Sequence, residues 1–282
     1  MLGLLGVVIF GGTVPATRLA VMELQPWFIT FGRAAVAGII AAVILLAFRR
    51  SLPGALWRWT VLSSLCLVIG FPGFLGLALQ TVPAAHSGVV LGLLPITTAI
   101  FAAFFAGESP SPTFWLWSAL GAAIVTIFAF RDGAPGLAFG DFWLVCATLS
   151  SSLGYVFSGK LSRQKPGWEV ICWQLVIAAP IVSIGLFIFW DSNILTASAS
   201  AKLSFAYVSL FSMLIGFFAW NAGLAIGGIA RVSQMQLLQI FVTLAISAII
   251  LNEEVTIETV AFASAVVAVI WFARKSRIKT SP

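Results

Sequence analysis

Three glutamines within six residues, Gln234, Gln236 and Gln239, interrupt a mostly apolar stretch from 231 to 251. Amide side chains offer donors and acceptors without net charge. A helix sets 236 and 239 about 300° apart, so they lie roughly 60° from each other on one face. Two amides on one interior face suit a zwitterion; hydrogen bonding between helices is the plainer alternative. Asn221, next to Trp220 in another apolar run, poses the same choice between ligand contact and helix glue. Near the start, GGTVPATR supplies Thr13, Pro15 and Thr17. Pro15 removes one backbone hydrogen bond and exposes the carbonyl four residues earlier, on Gly11. Such a break suits a cavity wall or a packing kink where glycines let helices approach.

Further along, Phe71 and Phe74 flank the break in GFPGFLG, and Leu94 and Pro95 sit midway along a later run. SSSLGY adds Ser152 and Tyr155. The only histidine, His86, begins an apolar run, where it is either solvated or able to titrate near neutral pH and couple a proton to a solute. Arg33 lies six residues into a span, roughly 9 Å of helix from its end. Its stem can snorkel to the surface; holding a carboxylate is the second reading. Each of these residues is a candidate wall of one cavity, Arg33 excepted.

Other chemistries lack their parts. There is no GxxxxGK[ST] loop, no HExxH and no CxxC pair, so neither ATP hydrolysis nor metal catalysis has a motif to rest on. Cys66, Cys146 and Cys172 lie in apolar runs and read as small core residues. No cofactor or metal and no nucleic acid is expected, and an enzyme is the distant alternative.

The elements that must position these residues are membrane spans. The 282 residues are 61% hydrophobic and 9% charged, with mean hydropathy +1.09. A soluble domain carries roughly 25% charged residues, so the expected solvent is the lipid bilayer. Runs of about 20 apolar residues fall near 2–20, 27–48, 60–81, 85–106, 113–130, 139–159, 169–190, 203–226, 231–251 and 257–273. The first run reads as a span rather than a signal peptide, having no basic flank or cleavage site. Lysine and arginine placement orients the chain. With the N-terminus cytoplasmic, Arg49, Arg50, Arg58, Lys160, Arg163, Lys165, Arg231, Arg274, Lys275, Arg277 and Lys279 fall inside. Only Arg18, Arg131 and Lys202 fall outside, so both termini are assigned to the cytoplasm and the net charge of +6 is mostly a topology signal.

The spans repeat. At an offset of 145, HSGVVLGLLPITTAIFAAFFAGES lies over RVSQMQLLQIFVTLAISAIILNEE, setting Thr98 on Thr243 and Glu108 on Glu253. GFPGFLG lies over IGFFAWN at the same offset, and an offset of 140 lays Gly11–Arg18 over Ser151–Ser158. The expected architecture is therefore an all-α polytopic membrane protein of ten helices, built as a 5+5 inverted-topology repeat with halves 1–132 and 133–282. Inverted repeats place a substrate site near the midplane between the halves.

FGRAAVAG (31–38), LPITTAIFAAFFAGES (94–109) and QMQLLQIFVTLAISAIILNEE, in this order, resemble the ten-helix EamA-type drug/metabolite transporters over essentially the whole chain. Within that family the chain most resembles the bacterial aromatic amino acid exporters. The resemblance implies efflux of amino acids across a bacterial inner membrane, through a cavity lined by the first, third, fourth, sixth, eighth and ninth spans. The residues agree with a neutral or zwitterionic solute. No Asp or Glu falls mid-span to balance a cationic drug, and no pair of buried cations awaits a phosphate. Other small metabolites or drugs remain the alternative cargo; the oligomeric state is open, with a monomer plausible.

Overall fold

The structure, a computed structural model, describes residues 2–130, 139–274 and 278–280. Ten helical segments follow one another: α1 (Leu2–Val21), α2 (Pro26–Ala47), α3 (Gly54–Ala78), α4 (Ala84–Phe105), α5 (Pro112–Phe130), α6 (Phe139–Ser162), α7 (Gly167–Ile188), α8 (Ala199–Gly227), α9 (229–250) and α10 (Ile257–Arg274). Among the described residues seven are long and apolar enough to cross a membrane: α1 to α4 and α6 to α8. The apolar parts of α9 and α10 are shorter, Leu238–Ile250 and Ile257–Val269. One element departs from the all-helical expectation. β1 (Glu108–Pro110) pairs antiparallel with β2 (Ile278–Thr280), tying the α4–α5 turn to the C-terminal tail.

Contacts between turns sort them into two ends. At one end Arg50, after α2, reaches Glu169 at the start of α7 (3.5 Å) and lies over the Trp168 ring, while Lys160 covers the Trp59 ring at 3.9 Å. At the other end Ser198, before α8, donates from its backbone and hydroxyl to Glu23, between α1 and α2. Those bonds hold the Glu23 carboxyl below the usual glutamate range. Here too, Glu253 accepts from the backbone N–H groups of Ala84 and Ala85, 2.9 and 2.8 Å away. A carboxylate at the first turn of α4 satisfies orphan donors and complements the helix dipole.

Five helices are irregular near their middles. α1 breaks at Gly12. The backbone of α3 widens to π winding over Leu65–Gly70, and that of α8 does so over Val208–Ile215. α4 tightens to a 3₁₀ turn over Leu91–Leu93, as α9 does over Gln234–Gln236. In α3 and α4 a proline follows directly, Pro72 and Pro95, lacking an N–H and crowding the preceding turn. α8 and α9 reach the same windings without proline.

Small residues let the helices close on one another. Ala34, Ala37 and Ala41 of α2 are buried against Leu175, Ala178 and Val182 of α7, the packing expected where lipid gives no hydrophobic drive between helices. At Gly12 a Cβ would stand 2.5 Å from the Tyr207 hydroxyl, so a larger residue must displace that ring. Two larger apolar clusters result. One gathers Val14, Leu75, Leu94, Ile240 and Val266; the other gathers Phe10, Leu67, Leu175, Met213 and Trp220.

Candidate functional site

Between those two clusters lies an enclosed space lined by Phe10, Thr13 and Val14 of α1, Arg33 of α2, Leu67 and Phe71 of α3, Leu94 of α4, Tyr155 of α6, Ser212, Met213 and Phe217 of α8, and Gln239 of α9. The irregular windings bring them there. Leu67, Phe71, Ser212 and Met213 lie in or beside the two π segments, and Leu94 follows the 3₁₀ turn of α4. π segments inside helices frequently mark functional sites. Unfilled space amounts to about 390 Å³, yet only about 10 Å³ of it admits the centre of a water-sized sphere. Ligand pockets run to roughly 300–1,000 Å³, so the helices must part before a metabolite fits.

Arg33 dominates the chemistry. It is 2% exposed and its Nη2 donates to Ser212 Oγ at 2.9 Å, with Ser212 Oγ in turn 2.8 Å from Thr13 Oγ1. Its Nε is buried without a partner, and no ion pair to it occurs among the described residues. The snorkelling expectation is overturned: the guanidinium turns inward because its stripe, residues 33, 37 and 41, is the buried face of α2. An arginine at the centre of a span costs about 2.5–3.5 kcal/mol on insertion scales, and one buried nearer the end, as Arg33 is, still has to be offset by what it binds. Around it other polar atoms stand idle. Both amide atoms of Gln236, the carbonyl oxygen of Gln239 and the indole N–H of Trp220 are buried and unpaired. The Tyr155 hydroxyl faces Ser151 and Gln236.

A second polar cluster is paired throughout except at Gln174 Oε1. Gln174 Nε2 donates to Ser63 Oγ and Ser158 Oγ, at 2.7 and 3.2 Å. Ser63 donates to the Gly154 carbonyl, Ser158 to Asn221 Oδ1, and Asn221 Nδ2 to the Gly167 carbonyl. Four helices, α3, α6, α7 and α8, are joined this way.

Relatives agree with a carrier. The family model described as the EamA-like transporter family matches residues 1–130 and 138–274. The chain belongs to the EamA-like transporter family. It is 44% identical over 277 residues to the uncharacterized transporter YdeK of Bacillus subtilis, covering 97% of this chain and 96% of that one. The uncharacterized inner membrane transporter YedA of Escherichia coli K12 is 23% identical, over 76% of this chain and 70% of its own. A solved crystal structure superposes with a TM-score of 0.69 at 18% identity, covering 96% of this chain and 93% of its own, which shows a shared fold. As an EamA-like chain the protein is a multi-pass membrane transporter of small molecules.

Several residues singled out from sequence meet at this EamA cavity, and others lie elsewhere. Thr13, Phe71, Leu94, Tyr155 and Gln239 line it; Gln236 and Trp220 stand behind, Trp220 packed at 5.4 Å on the Tyr155 ring. Pro15 and Thr17 are buried in α1 away from the lining. The Gly11 carbonyl freed by Pro15 is taken by Thr243 Oγ1 of α9 at 2.9 Å, so that break serves packing. Phe74 stacks on Trp143 and Ser152 bonds Thr97 at 2.5 Å, both outside the lining; Pro95 shapes the turn that presents Leu94. His86 is a correction: it pairs with Asp141 at 2.9 Å near the start of α4, where no cavity residue reaches it. Asn221 is another, with both amide groups engaged in the satisfied cluster. Sequence reasoning left out Phe10, Val14, Leu67, Ser212, Met213 and Phe217, and gave Arg33 a carboxylate-holding role only as its second reading. Ser212 had a usable signal, a serine inside an apolar run; Phe10, Leu67 and Phe217 had none.

Proposed function

We propose that the chain is a secondary carrier exporting amino acids with apolar, aromatic bodies across a bacterial inner membrane by alternating access. Ten spans in a 5+5 inverted repeat, halves 1–132 and 133–282, keep both termini cytoplasmic. One observation carries the reading: a closed midline space drawn from helices of both halves, rimmed by Phe10, Phe71, Tyr155 and Phe217 and floored by unpaired polar atoms. Aromatic walls fit an aromatic side chain, and the polar atoms fit a charged backbone. Support for the repeat comes from the two stretches matched by the family model and from the paired windings, π in α3 and α8, 3₁₀ in α4 and α9. An inner-membrane setting is supported by the printed name of the Escherichia coli relative. Other EamA carriers' cargo, small metabolites or drugs, would use the same cavity.

The test is counterflow. Proteoliposomes preloaded with unlabelled phenylalanine should accumulate labelled phenylalanine saturably and without ATP. Absence of exchange for every member of a neutral amino acid panel overturns the amino acid reading.

A further inference from the structure

The cavity is chemically one-sided. Its lining holds one cation, Arg33, and no carboxylate. Acidic side chains among the described residues are engaged at the ends: Glu23 with Ser198, Glu253 with the start of α4, Asp141 with His86, Glu169 with Arg50 and Lys165. Among the described residues no carboxylate lines the space beside the guanidinium and no ion pair to it occurs. It spends one N–H on a neutral hydroxyl, Ser212, and leaves Nε idle at 2% exposure. Arginine stays protonated in proteins and presents a planar fork matched to carboxylates. Ser212 and Thr13 are hydrogen-bonded to each other beside it and can donate to the same anion.

We propose that Arg33 is the anchor of a carboxylate on the transported solute, and that the site takes aryl carboxylates whether or not they carry an amine. The proposal rests on the cavity being the transport site. An ammonium group meets no carboxylate in the lining, only neutral oxygens such as Gln239 Oε1 and the Thr13 and Ser212 hydroxyls, so the amine contributes less than the carboxylate. A lone phosphate dianion is poorly served, since a single cation leaves half its charge unbalanced in a low-dielectric site.

The experiment compares four probes sharing a phenylethyl body on the intact protein in proteoliposomes, each corrected for flux into protein-free vesicles: phenylalanine, 3-phenylpropanoate, its isosteric amide 3-phenylpropanamide, and 2-phenylethylamine. Saturable exchange is expected for the two carboxylates, with the amide and the amine at least tenfold weaker. Arg33→Gln should reduce both carboxylates about tenfold or more while the thermal midpoint holds or rises, and Arg33→Lys should restore part of the loss. Amide or amine exchange equal to that of 3-phenylpropanoate overturns the proposal, and needs no variant to be folded. So does an unchanged KM for 3-phenylpropanoate in Arg33→Gln. Exchange of 3-phenylpropanoate without phenylalanine upholds the anchor and defeats the amino acid reading. Exchange of phenylalanine without 3-phenylpropanoate does the reverse, and silence of all four defeats both.

Discussion

Two buried polar clusters share this bundle and differ in charge and in pairing. The Gln174 cluster pairs nearly every donor and acceptor it holds, with Gln174 Oε1 the exception. Around Arg33, by contrast, Gln236, Gln239, Trp220 and Arg33 itself keep unpaired atoms at 9% exposure or less. Burial without a partner costs free energy, so evolution retains it where a visiting group supplies the missing bond. Both clusters mix amides with hydroxyls, and the cavity group adds the cation Arg33. Pairing separates them further: one cluster is closed among its helices, and the other keeps free atoms that the proposed solute would engage.

Substitutions sharpen that contrast. The largest stability loss is expected from Asn221→Ala, which strands the Ser158 hydroxyl and the Gly167 carbonyl. A cost of about 1–3 kcal/mol should appear as a lowered thermal midpoint in detergent, with KM for the transported solute unchanged. A raised KM at full stability would move Asn221 into the cavity group. Thr243→Val removes a single donor, leaving the Gly11 carbonyl bare beside Pro15. Interhelical bonds within membranes average about 0.6 kcal/mol and reach about 1.7, so its midpoint should fall less than that of Asn221→Ala. An equal or larger fall would show that the α1 break needs its α9 partner more than the Gln174 cluster needs Asn221.

Much of the fold could be read from the residues. Apolar runs located the helices within a few positions because lipid leaves few alternatives for twenty apolar residues. Proline announced the breaks at Pro72 and Pro95. Their counterparts in α8 and α9 carry no proline; neighbouring helices impose those windings, and a linear pattern holds no trace of that. Site residues were legible as a set of polar and broken positions, but not in their rotation. Asn221 and Gln236 look alike in sequence, and only packing decides that one has both amide groups engaged while the other faces little but the Tyr155 hydroxyl. Arg33 misled because a long stem suggests escape to the surface. The alanines at 37 and 41, on the same stripe, were the available clue that it faces inward.

The most direct test sets one glutamine against another. Gln239→Ala and Gln174→Ala remove the same amide, one from the cavity wall and one from the paired cluster. The informative measurement is KM for phenylalanine counterflow at matched amounts of folded protein, with the thermal midpoint recorded alongside. Gln239→Ala should raise KM severalfold at an unchanged midpoint, and Gln174→Ala should lower the midpoint at an unchanged KM. The opposite assignment, or equal effects of both substitutions on both quantities, would contradict the claim that unpaired polar atoms mark the transport site.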